Sequence, residues 1–198
     1  MDLFDWIAPL YDRIFHFSDP AKLLTLLAMA PHHRLLDVGG GTGRVTNSLT
    51  GFVEHACVVD VSWGMLVEAR AKGLCAYQSI AERLPFPDQA FDRILIVDAF
   101  HHFQDWPRAT TELLRVLRPG GRIVIEEPDI RNGPVKLIAL AERLLLMRSR
   151  FYAPADLAHL FQSAGGRVTL YEDQTGIYWA VVEHSQDKTI HRPRFNNL

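Results

Sequence analysis

The sequence predicts an α/β fold: a doubly wound, mostly parallel seven-stranded sheet with an antiparallel final strand and helices on both faces. Three observations carry this reading. From Arg34 onward, short apolar runs alternate with helical patterns. The first run leads straight into a glycine-rich turn and then a helix. The last two runs are joined by only a short link, whereas a parallel crossover needs roughly a dozen residues or more, so this pair is expected to be antiparallel.

The elements follow in order. Residues 34–38 form an apolar run that ends at Gly39 and read as the first strand, and 42–50 fit a helix. Residues 56–60 (ACVVD) give a second strand. Ser62 is a natural N-cap for a helix over 64–71, with Met65, Leu66 and Ala69 on one side. Residues 74–78 and 91–97 read as the third and fourth strands. The amphipathic stretch 106–117 is a helix stopped by Pro119-Gly120-Gly121, and 122–126 is the fifth strand. Helices are expected over 135–147 and 155–164, the latter stopped by Gly165-Gly166. Residues 167–171 and 178–183 close the sheet, with turn residues near Gly176. In such sheets ligands sit at the carboxyl ends of the strands, beside the first strand where the winding reverses.

Length and composition agree with one domain. The 198 residues are 48% hydrophobic and 22% charged, enough to build a sizeable core. The division expected is an N-terminal helical leader or lid (1–33), a ligand-binding core (34–128), a lid segment (129–153), a closing helix with the last strands (154–184) and a tail (185–198). The formal net charge of −2 lacks the basic excess of a nucleic-acid binder. The acidic, aromatic start MDLFDWIAPLYD does not resemble a secretory signal. No apolar run reaches the ~18 residues of a membrane span, so the cytoplasm is the expected compartment. Cys57 and Cys75 lie in apolar strand-like runs and are expected to be buried thiols, not a disulfide or half a metal site.

The chemistry concentrates in Asp37-Val38-Gly39-Gly40-Gly41-Thr42-Gly43-Arg44. Glycines allow positive φ and close approach of a ligand to backbone N–H groups, and a helix N-terminus there favours negative charge. Dinucleotide enzymes require G-x-G-x-x-G/A, but Arg44 or Thr46 would fill the third glycine position. A phosphate P-loop requires a lysine that is missing here. What remains is D-x-G-x-G-x-G. About 20 residues further on, Asp60 ends the second strand, where a carboxylate can accept both hydroxyls of a ribose. The same residue could instead cap the following helix.

LLDVGGGTGRV, VVDVSWGML, AERLPFPDQAFDRILIVDAFHHF and LLRVLRPGGRIVIEEP together resemble the successive motifs of class I S-adenosylmethionine-dependent methyltransferases. They are most similar to the branch that includes the ubiquinone and menaquinone biosynthesis C-methyltransferases. LFDWIAPLYDRIF resembles that branch's leader, and ADLAHLFQSAGG matches it more weakly. The resemblance implies a Rossmann-like fold, S-adenosylmethionine as cofactor and S-adenosylhomocysteine as product. It places Gly39 and Gly41 close to the methionine part, Asp37 near its ammonium group, Asp60 on the ribose and Val61 on the adenine face, with Gly40, Gly43 and Asp98 also among the cofactor-binding residues. Where the family carries an aspartate for the adenine amino group, this chain has Ile80. The base edge is then left to backbone near Ala81 or to Glu82. Tyr11 in the leader would close over the methionine end, its alternative being plain aromatic packing.

Asp98, His101 and His102 follow the fourth strand, where cofactor and acceptor should meet. The sulfonium is already activated, so positioning supplies most of the catalysis, and a base is needed only if the acceptor must lose a proton. The structural alternative has one histidine in the sheet–helix packing and the other in solvent. No metal is expected: Glu126 and Glu127 are adjacent on a strand, point to opposite faces, and read with Asp129 as a solvated strand end. The helix VKLIALAERLLLM is apolar nearly all round, so it covers an apolar ligand, packs into the core or forms a homodimer contact. The function expected is methyl transfer to a small, partly hydrophobic acceptor. The alternative is a non-catalytic protein that binds S-adenosylmethionine for regulation or interaction.

Overall fold

The structure is a computed structural model, and it describes residues 20–131, 152–173 and 176–184. Seven strands form one sheet: β1 (Arg34–Val38), β2 (His55–Asp60), β3 (Cys75–Gln78), β4 (Phe91–Val97), β5 (Leu117–Pro128), β6 (Gly166–Glu172) and β7 (Ile177–His184). The helices are α1 (Pro20–Leu27), α2 (Arg44–Leu49), α3 (Trp63–Ala71), α4 (Trp106–Val116) and α5 (Pro154–Ser163), with short 3-10 turns at Thr50–Phe52 and Phe100–His102. The strand order is β3-β2-β1-β4-β5-β7-β6. β1 to β5 pair in parallel, and β7 runs antiparallel to both neighbours, β5 and β6. This is the predicted architecture, with the reversal of winding between β1 and β4.

The alternation of side chains along the central strands builds two cores. Leu36, Ile94, Ile96, Ile123 and Ile125 face α4 and α5, where Leu113, Leu157 and Phe161 are fully buried. Leu35, Leu95 and Val124 face the other way and pack with Leu23 and Leu27 of α1 and Leu49 of α2. A smaller cluster seats Leu66 and Ala69 of α3 on Val58 and Ala76. A strand buried on both faces must be apolar at successive positions, which is why RILIV and RIVI read as continuous runs.

Local boundaries differ from expectation where backbone chemistry intervenes. The helix expected over 42–50 begins at Arg44, because Gly43 at its N-cap adopts a left-handed conformation (φ 69°). Pro119-Gly120-Gly121 lies beyond the end of α4, which stops at Val116. Leu117 already pairs with Phe91, and the register shifts before Arg122 meets Arg93, so the proline–glycine stretch is an irregularity inside a long β5. Ser62 caps α3 as predicted, accepting the Met65 N–H. The cysteines depart from expectation: Cys57 is half-buried and Cys75 exposed, because β3 is the sheet edge, and the two are register partners. The apolar helix expected over 135–147 and the aromatic leader that contains Tyr11 lie outside the described residues.

Candidate active site

The glycine turn is built by the strand that precedes it and the strand beside it. The N–H groups of Gly39 and Gly40 donate to the Val59 carbonyl, at 2.7 and 3.3 Å, and this ties the turn to β2. Gly39 (φ 75°) lies against the turn after β4: a Cβ at this position would come within 2.5 Å of the Ala99 Cβ. Gly43 packs against Leu74, Ala69 and Val58, so it supplies the close approach of turn and α3. Gly41 is different. A Cβ there would meet only the Met65 sulfur, at 3.8 Å, so its left-handed turn (φ 55°) leaves an open cradle.

Two carboxylates frame that cradle. Asp60 Oδ2 accepts the Gly41 N–H at 2.9 Å, and Oδ1 accepts the Ser62 N–H at 2.8 Å. Asp60 therefore braces the glycine turn, while Ser62 caps the helix. Asp37 is fully buried; its Oδ2 accepts the Thr46 hydroxyl, whereas Oδ1 has no hydrogen-bond partner. Burial pushes the Asp37 carboxyl up to about 7, against the Thr46 hydrogen bond and helped by the Asp60 charge. Asp37, Gly39, Gly40, Gly41, Thr42, Arg44, Val97 and Asp98 line one cleft, at the point where the winding reverses.

Of the residues expected to meet the base, Val61 and Ile80 are exposed and Ala81 is buried. The Ser79 N–H donates to the Asp60 carbonyl at 3.1 Å, which sets this segment beside the end of β2. Glu82 goes elsewhere. Its Oε1 accepts the N–H groups of Gln104 and Asp105 at the start of α4, at 2.8 and 3.0 Å. Free N–H groups at a helix start draw a carboxylate strongly, and the sequence spacing gave no sign of this.

Beyond the cradle, the turn after β4 presents Asp98, His101 and His102. Asp98 is exposed and in left-handed backbone (φ 51°), with its N–H on the Glu126 carbonyl at 2.9 Å. His101 is buried, with Nδ1 2.6 Å from Glu127 Oε2. Glu127 Oε1 accepts the N–H groups of Ala99 and Phe100 at 3.0 and 2.7 Å. His102 is half-buried, and burial together with the neighbouring His101 lowers its pKa to about 3, so it is neutral at physiological pH. Neither histidine is the solvent-facing one that the packing alternative supposed.

The expected solvated end of β5 is corrected by this arrangement. Glu127 is buried, and Glu126 accepts the Trp179 indole N–H at 2.7 Å on the opposite face. Strand alternation carried the missed signal: Ile123 and Ile125 are buried on one face, and Glu127 is the next residue on it. Thr46 was also missed, although it lies one turn into the helix that follows the glycines. Among the described residues, no group of three or more His, Cys, Asp or Glu side chains is arranged to hold a metal ion. No described helix is long and apolar enough to cross a membrane.

The chain is similar to several known proteins. A family model described as a methyltransferase domain matches residues 36–125. The demethylmenaquinone methyltransferase of Thermus thermophilus is 38% identical over 153 residues, covering 69% of each chain. The ubiquinone/menaquinone biosynthesis C-methyltransferase UbiE of Vibrio parahaemolyticus is 38% identical over 108 residues, which cover 49% of this chain and 42% of that protein. The match thus spans under half the length of the Vibrio relative. Among solved structures, a SAM-dependent methyltransferase of Thermotoga maritima superimposes with a TM-score of 0.78 at 21% identity, covering 92% of this chain and 98% of that one. That likeness shows the same fold.

Proposed function

The chain belongs to the S-adenosylmethionine-dependent methyltransferases, and from that premise we propose that it methylates a small, partly hydrophobic acceptor at the turn after β4. The observation that carries the reading is the cleft shared by the β1 and β4 turns. It joins an open glycine cradle to a buried carboxylate with one unpartnered oxygen, Asp37 Oδ1. A cradle that a Cβ would fill and an orphaned acidic oxygen fit the amino-acid end of the cofactor. When bound, S-adenosylmethionine supplies an activated methyl group for in-line displacement.

The chain's own residues do the rest. Asp37 holds the ammonium group, the Gly41 turn lets the ligand approach the backbone, and Asp60 accepts the ribose hydroxyls. Val61 covers one face of the base, with Ala81 near its edge. Glu127 accepts a hydrogen bond from Nδ1–H of His101, which leaves Nε2 as the basic nitrogen. An acceptor that must lose a proton would use His101 or Asp98, and His102 stays neutral. Residues 129–153 with the leader, Tyr11 included, form the acceptor side in this reading. It rests on the apolar sequence VKLIALAERLLLM, and a homodimer formed through the same segment is the competing use. The reading includes a cytoplasmic location and no nucleic-acid partner.

The names of the Thermus and Vibrio relatives make quinols the first acceptors to try. Incubation with methyl-labelled S-adenosylmethionine and a panel of quinols, phenols and amines tests the proposal. Label is expected on an acceptor with an apolar ring or tail. Transfer confined to small polar amines would overturn the acceptor class. Calorimetry showing no binding of either adenosyl compound would overturn the site.

A further inference from the structure

The end of β3 disposes its polar groups in one consistent way. The Gln78 side-chain amide donates to the Val61 carbonyl at 2.9 Å. The Ser79 hydroxyl donates to the Arg83 carbonyl at 2.6 Å. The Glu82 carboxylate reaches the start of α4 and lines the groove there with Asp105, Pro107 and Arg108, a groove that contains none of the glycine-turn residues. Each polar side chain between residues 78 and 82 thus has a partner within the protein. With the exposed Gln78 tied to Val61, two outward side chains beside Asp60 are aliphatic: Val61 is 53% exposed and Ile80 is 47% exposed. Large aliphatic residues kept half in water next to a ribose-binding carboxylate suit a ligand with a flat apolar face.

A purine has such faces, and it also has an edge whose donors and acceptors differ between bases. Reading a 6-amino group requires an acceptor, best a carboxylate, and reading a 6-oxo group requires a donor. The Ile80 side chain supplies neither. A site built to hydrogen-bond a group rejects the analogue that lacks it, whereas an apolar contact discriminates only weakly.

Resting on the cofactor reading above, we propose that Ile80 makes this base subsite one that grips the purine by its faces and does not select its C6 substituent. The ligand class is therefore 6-substituted purine nucleosides carrying a 5′-sulfonium or 5′-thioether amino acid, with the adenine form not privileged. Calorimetric titration of the intact protein with S-adenosylhomocysteine and with its 6-oxo analogue, S-inosylhomocysteine, tests this. The two are expected to bind within about tenfold of each other. Ile80→Asp is expected to raise the preference for the adenosyl compound by about tenfold or more, because a carboxylate accepts from the amino group and repels the oxo group. Ile80 is half-exposed, and an unchanged melting temperature confirms that the variant folds. A wild-type preference for the adenosyl compound above about tenfold would overturn the proposal, since backbone groups of the 80–83 turn would then be reading the edge. An Ile80→Asp variant with the wild-type ratio would overturn it too. Failure of both compounds to bind the wild type removes the cofactor reading itself, whereas selective loss of the inosyl compound removes only this inference.

Discussion

Glu127 Oε2 stands 2.6 Å from His101 Nδ1, and both side chains are buried. The same carboxylate accepts two backbone N–H groups of the turn after β4, so the end of β5 holds that turn in place. Glu127→Ala removes the acceptor from all three donors and is expected to lower stability by about 3–5 kcal/mol in urea denaturation. Glu127→Gln keeps a carbonyl acceptor and should lose less. Nitrogen-15 spectra should place the wild-type His101 proton on Nδ1.

Asp60 braces Gly41 and Ser62, and the proposed function gives it the ribose hydroxyls as well. Asp60→Ala is expected to weaken S-adenosylhomocysteine binding by about 1.5–3 kcal/mol, the range for hydrogen bonds to a charged group. The melting temperature of the ligand-free protein should fall as well. A fall in stability with unaltered affinity would reduce Asp60 to a brace.

Asp37 gives a pH signature. Its carboxyl titrates near pH 7 in the folded chain, above the ordinary 3.8 that the unfolded chain shows. Between these values the folded state holds a proton that the unfolded state has released. This group therefore stabilises the ligand-free protein fully below about pH 4, and that stability is lost as pH rises to about 7. Asp37→Asn retains a partner for Thr46 without the buried charge. It should be more stable than wild type above pH 7, by on the order of 3 kcal/mol, with little difference near pH 4. Ligand binding should show the opposite preference. Wild-type affinity should fall as pH drops from 7 to 5, with proton release detected by calorimetry in buffers of different ionisation enthalpy, and the variant should lose that dependence.

The glycines separate packing from binding. Gly43→Ala forces a Cβ into left-handed backbone and onto Leu74, for an expected loss of about 2–4 kcal/mol. Gly41→Ala meets only open space near Met65, so its stability loss should stay at about 1–2 kcal/mol while ligand affinity drops as the cradle fills. Gly51→Ala, with nothing within 4 Å and no left-handed backbone, is the control and should be near neutral. Urea melts and calorimetry on the three variants distinguish these outcomes.

The fold was legible because runs such as RILIV can be buried on both faces only in a sheet flanked by two helical layers. The glycine turn and the place of Asp60 beside it were legible because one strand–helix–strand unit, β1 through β2, fixes their spacing. Partners brought together by tertiary pairing were not legible. Glu127 and His101 are 26 positions apart and meet only because β4 and β5 are neighbours. Glu82 turns to α4 because the helix start offers free N–H groups, and no local pattern announces that. The edge position of β3, which leaves Cys75 exposed, follows from strand order and not from the composition of the strand.

The contact between Gly39 and Ala99 has a consequence for how such a sequence can change over generations. The two turns touch at the van der Waals limit, since a Cβ on one would come within 2.5 Å of the Cβ on the other. Neither position can grow while its counterpart stays as it is, so they are inherited as a matched pair although 60 residues separate them. Among descendants of this chain, enlargement at 99 should appear only alongside a displaced or shortened turn at 39. Recombinants that take the β1 turn from one parent and the β4 turn from another should fail more often than those that take both from the same parent.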